Sequence, residues 1–188
     1  MDNRNAILSH ALLLFASRGY DAVGVQEIVE AAGITKPTLY HYFGSKRGLL
    51  EALLSEYFGR FNPSLQKAAQ YRGDLPQTLQ CIAAAFFEFA RENPAFYRLA
   101  LGLWLAPKES EGFQAILKFN REQFDWVEQV FLKAVREHGN MRGRHSAYSV
   151  TLIGMLNNYI GMALNGYAQL DANLVEQVVR QFQYGIYS

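Results

Sequence analysis

Lys36, Thr38, Tyr40, His41 and Tyr42 fall within a few residues of one another, and Lys46 and Arg47 follow shortly after. From residue 33 to residue 48, GITKPTLYHYFGSKRG, there is no acid. These side chains share one kind of chemistry. The ammonium groups of Lys36 and Lys46 can neutralise phosphates, and the hydroxyls of Thr35, Thr38, Tyr40 and Tyr42 can donate to phosphate oxygens. Pro37 offers an apolar face that fits a thymine methyl, and His41 can donate to a phosphate or to a base acceptor.

Short helices must position these groups. Thr35 is a good N-cap, and Pro37 falls in the first turn, where a missing N–H costs little. Leu39 and Phe43 lie four apart and point inward. At 100° per residue that leaves Pro37, Thr38 and His41 on the far side, flanked by Tyr40 and Tyr42. Ser45 caps the next helix near Lys46, and the free N–H groups there form an anion site. Upstream, Ile7, Leu8, Ala11, Leu12 and Phe15 give a helix from Asn3 to Arg18 one apolar face, and Gly19 stops it. A second helix spans Val25 to Ala32, and Gly33 ends it. Two short helices around a glycine-containing turn form a helix-turn-helix, whose second helix enters the major groove. The plainer alternative is an ordinary helical hairpin in an all-α core, with Tyr42 resting against the first helix.

Bulk composition narrows the classes. The 188 residues are 50% apolar, enough for a substantial core. Eighteen basic residues oppose seventeen acids, so any nucleic-acid patch must be local. One cysteine, Cys81, makes no intramolecular disulfide and fits a reducing, cytoplasmic setting. The first residues lack the apolar run of a signal peptide. The most apolar stretch, Ala147 to Leu164, carries Asn157 and Asn158, which would be costly at bilayer depth, so no membrane association is expected.

The first fifty residues resemble the TetR/AcrR family of bacterial transcriptional regulators. The resemblance rests on LFASRGYDAV followed by VQEIVEAAGITKPTLYHYFGSKRGLL, notably Gly19-Tyr20, Ile28, Ala32-Gly33, Leu39-Tyr40, Phe43, Ser45-Lys46 and Leu49-Leu50. That family usually enters its second helix with Ser or Thr. Here Val23 and Gly24 stand there, and glycine keeps the cap geometry but brings no side chain to a phosphate. The resemblance implies a DNA-binding domain over residues 1–48 and a ligand-binding and dimerisation domain over 49–188. It implies double-stranded operator DNA, a second copy of the chain and a small-molecule effector as partners. It also favours repression.

Helical period continues to the end, so the expected class is all-α with about nine helices. Asn62-Pro63 predicts a kink or an end in the fourth helix. The later helices are expected over 77–92, 94–106, 111–137, 146–167 and 171–184. Aromatics crowd residues 86 to 131, and bulky rings of this kind commonly just fill a core. The resemblance implies instead a cavity, for which the candidate ligand residues are Phe86, Phe89, Trp104, Phe119, Asn120, Gln123, Phe124, Met155, Asn158 and Tyr159. A largely apolar lining with a few amides would suit an apolar or aromatic ligand. On the eighth helix Gly154, Asn158, Gly161 and Asn165 form a small, polar stripe. With Leu174, Val178 and Phe182 on the ninth, they are the candidate dimer residues; the alternative is a helix pair within one chain. An enzyme is poorly supported. His138 and His145 have no carboxylate or cysteine at ligand spacing and are expected to be solvated, Cys81 reads as a core residue, and no cofactor or metal motif appears. A DNA-binding regulator without a ligand switch, and a helical carrier or enzyme, remain the competing readings.

Overall fold

The computed structural model describes residues 3–137 and 139–185, and for Asn140 the backbone alone. His138 therefore lies outside the described residues. These contain nine α-helices and no strand: α1 Asn3–Arg18, α2 Val25–Ala31, α3 Lys36–Phe43, α4 Lys46–Ala68, α5 Leu75–Glu92, α6 Pro94–Trp104, α7 Glu111–Ala134, α8 His145–Leu164 and α9 Ala172–Tyr184. The all-α expectation holds, because apolar side chains recur at helical spacing throughout.

Packing groups the chain into two compact units. The first comprises Met1–Gly59 with Asn93–Phe119 and takes in the whole of the expected 1–48 segment. Its core is built on α1, whose Ile7, Leu8, Ala11, Leu12 and Phe15 are buried. They meet Ile28 and Val29 of α2, Leu39 of α3 and the α6 face that carries Phe96, Leu99 and Leu103. Rings interlock here: Phe58 stacks on Phe119 at 4.7 Å between centroids and meets Phe96 edge-on at 5.2 Å. Such pairs contribute roughly 0.5–1.5 kcal/mol beyond area burial.

The second unit comprises Arg60–Glu92 with Asn120–Ser188. Its centre is α5, which buries Leu79, Ile82, Ala83, Phe86 and Phe87 and packs against α8 and α9. Leu152, Leu156 and Ile160 of α8, and Val178 and Val179 of α9, are buried in this unit.

Two expectations need correction. Pro63 neither ends nor breaks α4, which runs through it to Ala68. The proline leaves the carbonyl of Gly59, four residues earlier, without its helical donor. Both residues are exposed, so water can serve that carbonyl and the ring meets no core. Cys81 is exposed rather than buried, with its sulfur 3.5 Å from the Gln77 amide. Leu79, Ile82, Ala83 and Phe86 define the buried face of α5, and position 81 falls opposite them. Several ends are also shorter than expected. α7 stops at Ala134, and α8 stops at Leu164, where the Tyr167 N–H turns back to the Met162 carbonyl at 2.9 Å.

Candidate nucleic-acid interface

α2 and α3 are joined by four residues, Ala32 to Thr35. Gly33 has φ +64, and its neighbour's N–H closes the turn from Ile34 to the Val29 carbonyl at 3.0 Å. That left-handed step is easy for glycine and costly for any branched residue. Ile28, Val29 and Leu39 are buried on the inner side, which fixes the rotation of α3 about its own axis.

The outer side then follows. Thr35, Lys36, Pro37, Tyr40, His41 and Tyr42 are exposed, and Thr38 is half-buried. Tyr40 keeps 46% and Tyr42 40% of its surface accessible, a large exposure for aromatic rings. Thr35 and Thr38 share a hydrogen bond between their hydroxyls at 3.0 Å. Tyr42 meets His41 edge-on at 5.4 Å and lies 6.1 Å from Phe43. A helix of eight residues thus presents hydroxyls, an imidazole and an ammonium on one open face. Seven of the eight expected contact residues are brought together there.

Lys46 is placed differently. Its ammonium donates to the Tyr20 and Val23 carbonyls, both at 3.1 Å, and sits 4.2 Å from the Tyr20 ring centroid. It clamps the α1–α2 connection to the start of α4 through two of its three N–H donors. Tyr20 itself is buried, and its hydroxyl donates to Glu111 Oε2 at 2.8 Å. Burial, and then the carboxylate, push that phenol well above its ordinary range. Where the second helix begins without Ser or Thr, no side chain caps its first N–H groups, and Glu27 makes only the reverse half of a capping box. Its Oε1 accepts from the Gly24 N–H at 3.0 Å, and Oε2 pairs with Arg18. The Gly24 amide, and then Arg18, hold the Glu27 carboxyl below the usual carboxylate range.

Gly48 was not legible as a site residue. Its N–H donates to Ser45 Oγ at 2.9 Å, which caps α4. A Cβ added there would lie 2.0 Å from the Phe43 carbonyl oxygen. The turn from α3 into α4 is therefore closed by a bare Cα. The signal available in the sequence was a glycine in the first turn of a helix, a choice that costs about 1 kcal/mol against alanine.

The candidate ligand residues divide between the units. Trp104 and Phe119 belong to the first; Phe86, Phe89, Asn120, Gln123, Phe124, Met155, Asn158 and Tyr159 belong to the second. Trp104 is 42% exposed and stacks on Phe113 at 5.4 Å, so it fills no core. Phe61 contacts both Phe86 and Phe89, at 5.0 and 4.5 Å. Beside them the buried Gln123 amide donates to Asn62 Oδ1 at 3.3 Å. Tyr159 donates to Gln181 at 2.8 Å, tying α8 to α9.

Of the candidate dimer residues, Gly154, Asn158 and Asn165 are exposed and Gly161, Leu174 and Phe182 half-buried. Val178 is wholly buried within its own chain, because α9 packs on α5. It has no surface to offer a second copy and is withdrawn from that set. His145 lies 3.8 Å from Glu128. Among the described residues no cluster of three potential metal ligands occurs, and no helix is long and apolar enough to cross a membrane.

Comparison with known proteins places this geometry. Residues 7–53 match the family model of the bacterial regulatory proteins, tetR family. The chain is 35% identical over 98 residues to the HTH-type transcriptional activator FasR of Mycolicibacterium smegmatis, a match covering 52% of this chain and 45% of that protein. It is 39% identical over 84 residues to the HTH-type transcriptional repressor BdcR of Escherichia coli, covering 45% and 41%. Each match spans less than half the length of the relative. Among solved structures, the transcriptional regulator FadR of Bacillus subtilis in complex with stearoyl-CoA superposes with a TM-score of 0.80 at 18% identity, covering 97% of this chain and 98% of that one. At that identity the likeness establishes the fold. The family model runs from within α1 to the first third of α4, residues 7–53, and the likeness in fold extends over nearly the whole chain.

Proposed function

We propose that the protein is a ligand-responsive transcriptional repressor that binds a palindromic operator as a homodimer. The observation that carries this reading is the open outer face of α3, where Lys36, Tyr40, His41 and Tyr42 are all exposed. Residues 1–48 supply the DNA-reading surface, and residues 49–188 the effector site and the dimer contact. Two copies of α3 would enter successive major grooves, roughly 34–36 Å apart.

The dimer reading has its own support. Gly154 and Gly161 have open space where a Cβ would stand, so nothing within the chain requires glycine there. Val150 and Met162 on the same helix are exposed at 60% and 45%. Small residues beside uncovered apolar ones suit a close crossing by the same helix of a second copy.

The effector is small and apolar or aromatic, binding among the rings of the second unit with the Gln123 and Asn62 amides as polar anchors. Stearoyl-CoA, the ligand of the Bacillus subtilis FadR complex, is larger and carries a charged headgroup, and it tests whether an acyl chain among these rings suffices. Release requires that the ligand favour one conformation over the other, by a coupling of about 1–3 kcal/mol. The test is a titration of the protein–operator complex, followed by fluorescence anisotropy, with stearoyl-CoA and a panel of apolar and aromatic compounds. Release by one of them, with a matching rise in thermal stability, supports the reading. A panel that shifts neither quantity favours a regulator with a solid core and no ligand switch.

A further inference from the structure

We infer that Glu111 is a positioning residue for DNA binding: its carboxylate holds the Tyr20 hydroxyl, and through Tyr20 and Lys46 it fixes the junction at which α3 gives way to α4. The inference rests on the proposed DNA-binding reading and assigns work to a residue outside the helix-turn-helix.

Every link lies within the first compact unit. Glu111 opens α7, where a negative charge suits the helix dipole. Its Oε2 accepts from Tyr20 at 2.8 Å. The adjoining Gly112 lies near the same ring, since a Cβ added there would stand 3.7 Å from Tyr20 Cδ1, at ordinary contact distance. That ring and the Tyr20 carbonyl hold the Lys46 ammonium, which also takes the Val23 carbonyl. Lys46 is the first residue of α4, and two residues later the bare Cα of Gly48 closes on the Phe43 carbonyl at the end of α3. Hydrogen bonds at Glu111 and Lys46 and the close turn at Gly48 link these groups in series, so a displacement of Tyr20 is passed to α3. Arg47, next to this junction, pairs with Glu51 at 3.0 Å. The Tyr20 ring alone would fill the same core volume as phenylalanine. The hydroxyl–carboxylate bond is what ties it to α7.

The experiment compares the affinity of wild type, Tyr20→Phe, Glu111→Ala, Glu111→Gln and the Tyr20→Phe/Glu111→Ala double variant for one operator duplex, chosen by selection from random sequence. Binding is measured far below the unfolding temperature, and each unfolding transition is recorded alongside. Tyr20→Phe and Glu111→Ala should each weaken binding about three- to tenfold, the scale of one net hydrogen bond. The double variant should be no weaker than the singles, because they remove the same contact. Glu111→Gln, whose amide oxygen still accepts from the phenol, should restore most of the affinity. The inference is overturned if the variants lower the unfolding temperature but leave the affinity intact, if the two losses multiply, or if Glu111→Ala binds DNA more tightly through loss of a repelling charge. A wild-type protein that binds no selected duplex would sink the DNA-binding reading itself, and this inference with it.

Discussion

Replacing Gly48 with alanine should destabilise this protein, although the same change in an ordinary helix would stabilise it. Gly48 lies in the first turn of α4, and its φ is not among the left-handed ones, so no backbone preference demands glycine. By propensity alone the alanine would gain about 1 kcal/mol. Space decides otherwise. The new Cβ would stand 2.0 Å from the Phe43 oxygen and 3.2 Å from its carbon, where ordinary contact begins at 3.4 Å. The obstructing atom is backbone, and Ser45 N–H donates to that same oxygen at 2.8 Å, so it cannot rotate aside. The end of α3 must move by over an ångström. Overpacking of this kind costs about 1–3 kcal/mol, which for a chain of this size lowers the unfolding temperature by several degrees. The displaced helix should also bind operator DNA at least about tenfold more weakly. Thermal unfolding by circular dichroism and anisotropy on the operator check both. A Gly48→Ala protein with a raised unfolding temperature and undiminished DNA affinity would refute the reasoning. Gly112→Ala provides a contrast, because there the near atom is the end of the flexible Leu103 side chain and the cost should be smaller.

Further outcomes follow from the same geometry. Lys36→Ala should weaken DNA binding and reduce the slope of log K against log salt by about 0.9, measured by anisotropy between low and moderate salt, if one phosphate contact is lost. Gly154→Leu should leave the fold of the single chain intact, because the side chain meets nothing within its own chain, and should convert the proposed dimer to monomer in light scattering. The Glu27 carboxyl is held below its ordinary range by the Gly24 amide and Arg18. Its stabilisation is therefore complete above the unfolded value of about 4.3 and is lost as pH falls through the lower folded value. Unfolding temperatures of wild type and Glu27→Gln should differ at neutral pH and converge in acid.

Much of the structure of the first fifty residues was legible in the sequence because its signals are local. The apolar spacing of Ile7 to Phe15, Gly33 after α2, Thr35 and Pro37 at the head of α3, and Ser45 before α4 each act within a few residues. They placed the helices almost to the residue and oriented α3 from Leu39 alone. The clamp made by Lys46 was not legible because its partners, the Tyr20 and Val23 carbonyls, lie more than twenty positions away. Spacing identifies a lysine at a helix start but not the carbonyls that turn inward to meet it. Glu111 was invisible for the same reason, being ninety-one residues from Tyr20. Pro63 misled in the other direction. A proline rule assumes that the freed carbonyl is costly, and at an exposed Gly59 it is not. On α5, apolar neighbours in sequence made Cys81 look buried, whereas the helix turns it to the opposite side from Leu79 and Ile82. The aromatic residues from 86 to 131 could be recognised as core-forming, but composition could not separate Trp104, which lies open, from Phe86, which does not.

The central claim is that the outer face of α3 reads DNA. Its most direct test is the anisotropy of wild type and Tyr40→Ala on an operator selected from random sequence, with far-ultraviolet circular dichroism to verify the fold. Tyr40 is 46% exposed, so its loss should leave the structure unchanged. Tight, salt-sensitive binding by the wild type and a loss of about tenfold or more in the folded variant is the predicted result. Selection that enriches no sequence, or a variant that binds as tightly as wild type, would contradict the account.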